Sequence, residues 1–176
     1  MTEKAKGLVC IFTGDGKGKT SAALGVVLRA LGHGFRVYIT FFMKGKHPYG
    51  EYNTLSKLPN VTTASFGSLE FVYPDRVKPD DKEQARLALA AAREAMLSGN
   101  YDLVVLDEIN VAVAFKLIEP DEVVKLINDK PHDVELILTG RQADHRIIQM
   151  ADLVSEMVKV KHPYDVGVLA RKGIDY

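Results

Sequence analysis

The chain has 176 residues, 47% hydrophobic and 26% charged, which suits one folded unit around a single core and excludes a disordered or low-complexity polymer. Lysine plus arginine number 23 and aspartate plus glutamate number 23, so no global field draws in nucleic acid or an anionic membrane, and any polyanion has to be held locally. Cys10 is the one cysteine, which excludes an internal disulfide framework and a cysteine-based zinc site; its apolar neighbours mark it as a small core residue rather than a reactive thiol.

No apolar stretch approaches the about 18 residues of a membrane span. The run near the amino terminus stops at Thr13-Gly14-Asp15-Gly16 with no cleavage site, so a cytoplasmic protein is expected, with residues 1–176 forming a single domain. Residues 8–12 (LVCIF) are apolar throughout, as in a strand covered on both faces. From Ser21 the stripe Leu24, Val27, Leu28 and Leu31 predicts an amphipathic helix, ending at Gly32-His33-Gly34. Residues 36–42 and 61–65 read as the second and third strands, with a short helix over 52–57 between them. After an irregular stretch over 67–79, Asp80 or Asp81 caps a long alanine-rich helix reaching Ser98, whose stripe from Ala85 to Ala95 predicts close helix packing. Residues 103–106 form a fourth strand, and a helix starts at Pro120 with Glu119 in its cap region. Strands over 136–139 and 153–158 flank a helix over 144–150, and the tail from Lys159 is irregular.

This alternation predicts an α/β fold, a mostly parallel sheet with helices on both faces. Such sheets bind ligands at the carboxyl ends of their strands, which puts the residues after each apolar run in first place. After the first strand comes Thr13-Gly14-Asp15-Gly16-Lys17-Gly18-Lys19-Thr20-Ser21. It follows G-x-x-x-x-G-K-[ST] with Thr13 in place of the first glycine. The glycines permit successive N–H groups to face a polyphosphate, at a helix N-terminus that adds partial positive charge. Lys19 supplies an ammonium for phosphate oxygens and Thr20 a hydroxyl for Mg²⁺. The fourth strand ends in Asp107-Glu108, carboxylates suited to the same ion, although such a pair also caps helices. The fifth ends in Thr139-Gly140-Arg141, where Arg141 either forks onto phosphate oxygens or pairs with Asp144 on the surface. His33, His47, His132, His145 and His162 show no metal-binding spacing.

Further motifs narrow the chemistry. They are Phe42-Met43-Lys44-Gly45, Tyr49-Gly50-Glu51, Ala151-Asp152-Leu153-Val154-Ser155-Glu156-Met157, Lys161-His162-Pro163-Tyr164-Asp165 and the closing Gly173-Ile174-Asp175-Tyr176. With the glycine-rich loop, this series resembles the ATP:corrinoid adenosyltransferases of the cobalamin pathway over nearly the whole chain. The resemblance implies a P-loop NTPase fold of RecA-like type and transfer of the 5′-deoxyadenosyl group of ATP to cobalt(I), with release of triphosphate. Gly14, Asp15, Gly16, Lys17, Gly18, Lys19, Thr20, Ser21 and Arg141 would then hold the nucleotide, without assigning Lys17 or Lys19 to a particular phosphate. Thr20 and Glu108 would hold Mg²⁺ (or Mn²⁺) with Asp107 orienting a metal-bound water, the two acids being able to exchange roles. Lys19, Arg141 and Glu108 become the catalytic set.

The resemblance also implies an aromatic pair that strips the lower cobalt ligand, for which Phe71 and Tyr73 are the candidates. The other implied partners are a reduced flavoprotein as electron donor and a second copy of the chain. The first strand starts close to Met1, without the amino-terminal extension that some relatives place over the site. The rival readings are a P-loop ATPase or small kinase, in which Glu108 positions water or a hydroxyl, and a non-enzymatic corrinoid or nucleotide carrier.

Overall fold

The computed structural model describes residues 6–45, 49–68 and 70–176. Five strands, β1 (Val9–Thr13), β2 (Val37–Phe41), β3 (Val61–Ser65), β4 (Leu103–Asp107) and β5 (Glu135–Thr139), join β6 (Leu153–Glu156) in one sheet of order β3-β2-β4-β5-β1-β6. Every pairing is parallel, which sharpens the expected mostly parallel sheet. The register aligns Phe41 with Asp107 and Phe12 with Thr139, so the ends of β1, β2, β4 and β5 meet along one edge.

Side chains alternate across the sheet and build two apolar layers. On one face Tyr38, Val104, Leu106, Leu136 and Leu138 pack under α3 (Pro79–Leu97), α4 (Ile109–Ala114), α5 (Pro120–Asn128) and α6 (His145–Met150). On the other, Val37, Ile39, Phe41, Leu103, Val105 and Ile137 pack under α1 (Lys19–Gly32) and α2 (Gly50–Leu55). Four of the six alanines of α3, Ala85, Ala88, Ala92 and Ala95, are buried, and their small side chains bring that helix close to β2 and β4.

Several boundaries shift for local reasons. α1 begins two residues before Ser21, because Gly18 in a left-handed conformation (φ 112°) lets the helix start at Lys19. β4 extends one residue beyond Leu106 to include Asp107, and β6 stops at Glu156. The cap of α3 is Lys78, not Asp80 or Asp81; Asp81 instead accepts the Lys78 N–H at 2.9 Å from inside the first turn. α4 is an element the apolar periodicity does not announce, and the tail carries a 3₁₀ turn at Pro163–Val166. No helix among the described residues is long and apolar enough to cross a membrane.

β1 is less evenly covered than its sequence suggests: Val9 and Ile11 are buried, while Cys10 and Phe12 are half-buried. The Cys10 thiol donates to Glu135 Oε1 at 3.3 Å. Burial, followed by the Glu135 hydrogen bond, pushes its pKa up to about 12. At pH 8 the thiolate fraction is then on the order of 10⁻⁴. Native protein is expected to react with a disulfide reagent at pH 8 orders of magnitude more slowly than urea-unfolded protein; equal rates in the two states would contradict this burial.

Candidate active site

The glycine-rich loop between β1 and α1 is shaped by its neighbour as much as by any ligand. A Cβ on Gly14 would lie 2.6 Å from the Met157 carbonyl oxygen, and one on Gly16 would lie 2.7 Å from it. The Gly16 N–H donates to that same carbonyl at 2.6 Å. The expectation that successive loop N–H groups face the ligand is therefore corrected at Gly16, whose donor binds the chain leaving β6. Lys19, only 7% exposed, donates to the carbonyls of Gly14 and Gly16 at 2.7 Å each. The ammonium braces the loop from within and keeps one further donor for the cleft. Burial lowers its pKa, against the attraction of Glu108.

Across the cleft, Asp107 is 1% exposed, and an acid so deep requires partners on both oxygens. Oδ1 accepts from Thr20 at 2.9 Å and from Thr139 at 2.6 Å, and Oδ2 from Lys44 at 2.5 Å. α1, β5 and the turn after β2 are thus tied to the end of β4. Lys44 is a residue that the sequence reading quoted in a motif but gave no role. Burial disfavours its charge, yet the adjoining Asp107 carboxylate overcomes this and leaves the pKa raised. The signal was available, since Lys44 follows an apolar strand just as Asp107 and Arg141 do.

Glu108 caps α4 in the left-handed region at φ 66°, a strained conformation for a side chain of this size. Its N–H donates to Thr139 Oγ1 at 3.0 Å, the same hydroxyl that donates to Asp107. The Glu108 carboxylate faces the cleft and accepts no hydrogen bond among the described residues. Burial, then repulsion from Asp107, raises its pKa. Gly140 (φ 127°) lets the turn after β5 press against α4, where a Cβ would lie 2.9 Å from the Val111 nitrogen. Arg141 lies just beyond, and Asp144 is taken by Arg146 at 3.2 Å rather than by Arg141.

These elements enclose a cavity of about 450 Å³ lined by Gly16, Lys17, Gly18, Lys19, Thr20, Ser21, Lys44, Glu108 and Arg141, with Tyr49, Gly50, Glu51 and residues 173–176 completing it. Arg141 and Asp15 also border a second cavity of about 400 Å³ with Lys159, His162, Tyr164 and Asp165. The donor set suits Mg²⁺ in one way. Asp107 has both oxygens occupied, which leaves the Thr20 hydroxyl oxygen and the Glu108 carboxylate as hard oxygen ligands beside the phosphate loop. Among the described residues no group of three or more histidine, cysteine or acidic side chains is placed so that it could hold a metal ion by itself. Phe71 and Tyr73 are not brought into the cleft. They are 74% and 57% exposed and line a separate 430 Å³ hollow with Ser68, Arg76 and Lys78; Leu69 and His47 lie outside the described residues.

The family model for ATP:corrinoid adenosyltransferase BtuR/CobO/CobP matches residues 5–176. The chain belongs to that family. The corrinoid adenosyltransferase of Escherichia coli (strain K12) is 38% identical over 176 residues, covering the whole chain and 89% of the relative. Corrinoid adenosyltransferase CobA of Salmonella typhimurium (strain LT2) is 36% identical with the same coverage. A solved structure of EssC (ATPases 2 and 3) from Geobacillus thermodenitrificans aligns with TM-score 0.54 at 13% identity, over 96% of this chain and 35% of that one. That likeness concerns the fold alone and agrees with the expected α/β parallel sheet. Membership of the adenosyltransferase family does not favour the ATPase, kinase or carrier readings.

The raised Glu108 pKa carries a sign. An acid whose pKa is higher folded than unfolded favours the fold when protonated, and that contribution is lost as pH rises through the folded pKa. In chelator-treated, nucleotide-free protein, Glu108→Gln is expected to melt at a higher temperature than wild type at pH 8. The gap should shrink toward pH 4, where the wild-type carboxyl is also neutral. A variant that melts lower at pH 8 would contradict the assigned environment.

Proposed function

We propose that this cleft binds ATP and presents its 5′ carbon to the cobalt(I) of a corrinoid. The observation that carries the reading is the convergence of Lys17, Lys19, Lys44 and Arg141 on one cavity at the phosphate loop, in a chain whose formal charge is zero. Reduced cobalt is a strong nucleophile, so the protein need not activate a side chain or water for attack. The cobalt electron pair forms the Co–C5′ bond while the C5′–O bond to the α-phosphate breaks, and its electrons leave with triphosphate. The protein's tasks are alignment and stabilisation of charge on the leaving group.

Lys19 and Arg141 hold phosphate oxygens, and the loop from Gly14 to Ser21 shapes their seat. Thr20 and Glu108 would hold Mg²⁺ or Mn²⁺, which would neutralise part of the phosphate charge. Asp107 fixes the Thr20 hydroxyl and the Lys44 ammonium in place. The corrinoid lies against the loop carrying Phe71 and Tyr73, whose exposed rings fit a broad ligand with apolar faces. A reduced flavoprotein supplies electrons, and residues 1–176 act as one cytoplasmic domain. A second copy of the chain pairs with it; β6 is an edge strand, and Leu153, Val154, Val158 and Val160 are exposed along it and just beyond. Light scattering is expected to give about twice the 19.4 kDa chain mass, and a monomer at micromolar concentration would rule out that pairing.

With ATP, Mg²⁺ and chemically reduced corrinoid, the expected products are an alkylcobalt species and intact triphosphate. ADP plus phosphate as the only nucleotide products would refute the mechanism. Lys19→Ala and Glu108→Ala should each lower kcat/KM by roughly 10²-fold while remaining folded. Wild-type turnover by both would refute the assignment of those residues.

A further inference from the structure

Residues 171–176 fold back onto the phosphate loop. The Asp175 N–H donates to the Arg171 carbonyl at 2.8 Å and the Gly173 N–H to the Tyr176 carbonyl at 2.8 Å, which closes a compact turn. Gly173, Ile174, Asp175 and Tyr176 line the same cavity as Gly16, Lys17 and Gly18. Within it the Asp175 carboxylate is only 9% exposed. Oδ2 accepts from the Arg171 N–H at 2.9 Å and from Arg171 Nε at 3.1 Å, while Oδ1 accepts from the Lys17 ammonium.

A nearly buried acid in a cleft built for a polyanion could compete with the ligand for Lys17 or could aim Lys17 at it. The hydrogen bonds favour aiming. Arg171 occupies only Oδ2, and Lys17 meets Oδ1 with one of its three N–H donors, which leaves the other two free to turn toward a ligand. Lys19 is fixed by two loop carbonyls and Lys44 by Asp107. Lys17, set between Gly16 and Gly18 with its side chain half exposed, has Asp175 as its one carboxylate partner among the described residues. A long flexible ammonium that is already oriented loses less rotamer freedom when a phosphate arrives. The flanking cations Arg171 and Lys17 offset the repulsion that Asp175 would otherwise exert on the ligand.

We propose that Asp175 is a positioning residue of the nucleotide site: from the tail turn that lines the cleft, it fixes Lys17 over the phosphate loop. This rests on reading the cleft as the ATP site.

Calorimetric titration with Mg–ATP and with inorganic triphosphate, on wild type, Asp175→Ala, Asp175→Asn, Lys17→Ala and the double variant, tests it. Asp175→Ala is expected to weaken both ligands roughly tenfold and to raise KM for ATP with kcat at saturation largely kept. Asp175→Asn, which still accepts from Arg171, should fall between. The double variant should bind no worse than Lys17→Ala alone, because the two residues act through one contact. Tighter binding by Asp175→Ala, unchanged binding, or losses that add in the double variant would overturn the proposal while leaving the cleft assignment intact. Wild-type protein that binds neither ligand overturns the cleft reading itself. Should Asp175→Ala fail to melt cooperatively, the comparison of Asp175→Asn with Lys17→Ala decides by the same criteria.

Discussion

Burying the Asp107 carboxylate is the demand around which the carboxyl edge of the sheet is organised. Placed unpaired in an apolar interior, such a charge would cost several kcal/mol. Two hydroxyls and one ammonium meet it, and each comes from a different part of the chain: Thr20 from α1, Thr139 from β5 and Lys44 from the turn after β2. Fixing them fixes the cleft. Thr20 opens the helix of the phosphate loop, Thr139 orients the Glu108 backbone, and Lys44 adds a cation to the cavity wall. The same carboxylate is thereby consumed by structure, which leaves Glu108 as the acid open to a ligand.

Charge in the cleft follows one pattern. Each lysine of the cleft is already in contact with protein acceptors, yet keeps donors to spare: Lys19 on loop carbonyls, Lys44 on Asp107, Lys17 on Asp175. Prior ordering of this kind lets a multiply charged ligand bind without first arranging flexible lysines. In the proposed reaction it would also place the electrostatic support before the reaction begins, when it is most useful for a leaving group that gathers charge.

Much of this was legible from residue order. Continuous apolar runs such as 37–41 and 103–106 mark strands buried on both faces, and the change to helical spacing after Ser21 marks the crossover that makes neighbouring strands parallel. The rule that ligands collect at strand ends located the phosphate loop, Asp107-Glu108 and Arg141, which the structure brings to one edge. What escaped depended on contacts distant in sequence. Residues 109–114 (INVAVA) are short, β-branched and apolar, so α4 is held by packing rather than by propensity. The use of the Gly16 N–H was hidden because its partner, Met157, lies far along the chain. Lys44 and Asp175 look like surface charges until β2 and the tail are laid beside β4 and the loop.

The wide sequence separation of the contacts around Asp107 bears on how the protein is made. Thr20 and Asp107 stand 87 positions apart, and Thr139 a further 32 beyond. A ribosome-bound chain that has released only β1 and α1 owns the glycine-rich motif and Thr20 but neither Asp107 nor the Thr139 hydroxyl that completes the acid's surroundings. The pocket matures only once β5 has inserted between β1 and β4. A nucleotide bound in this pocket, as proposed, would therefore select finished molecules from partly folded ones, and its binding would add stability to the completed state alone.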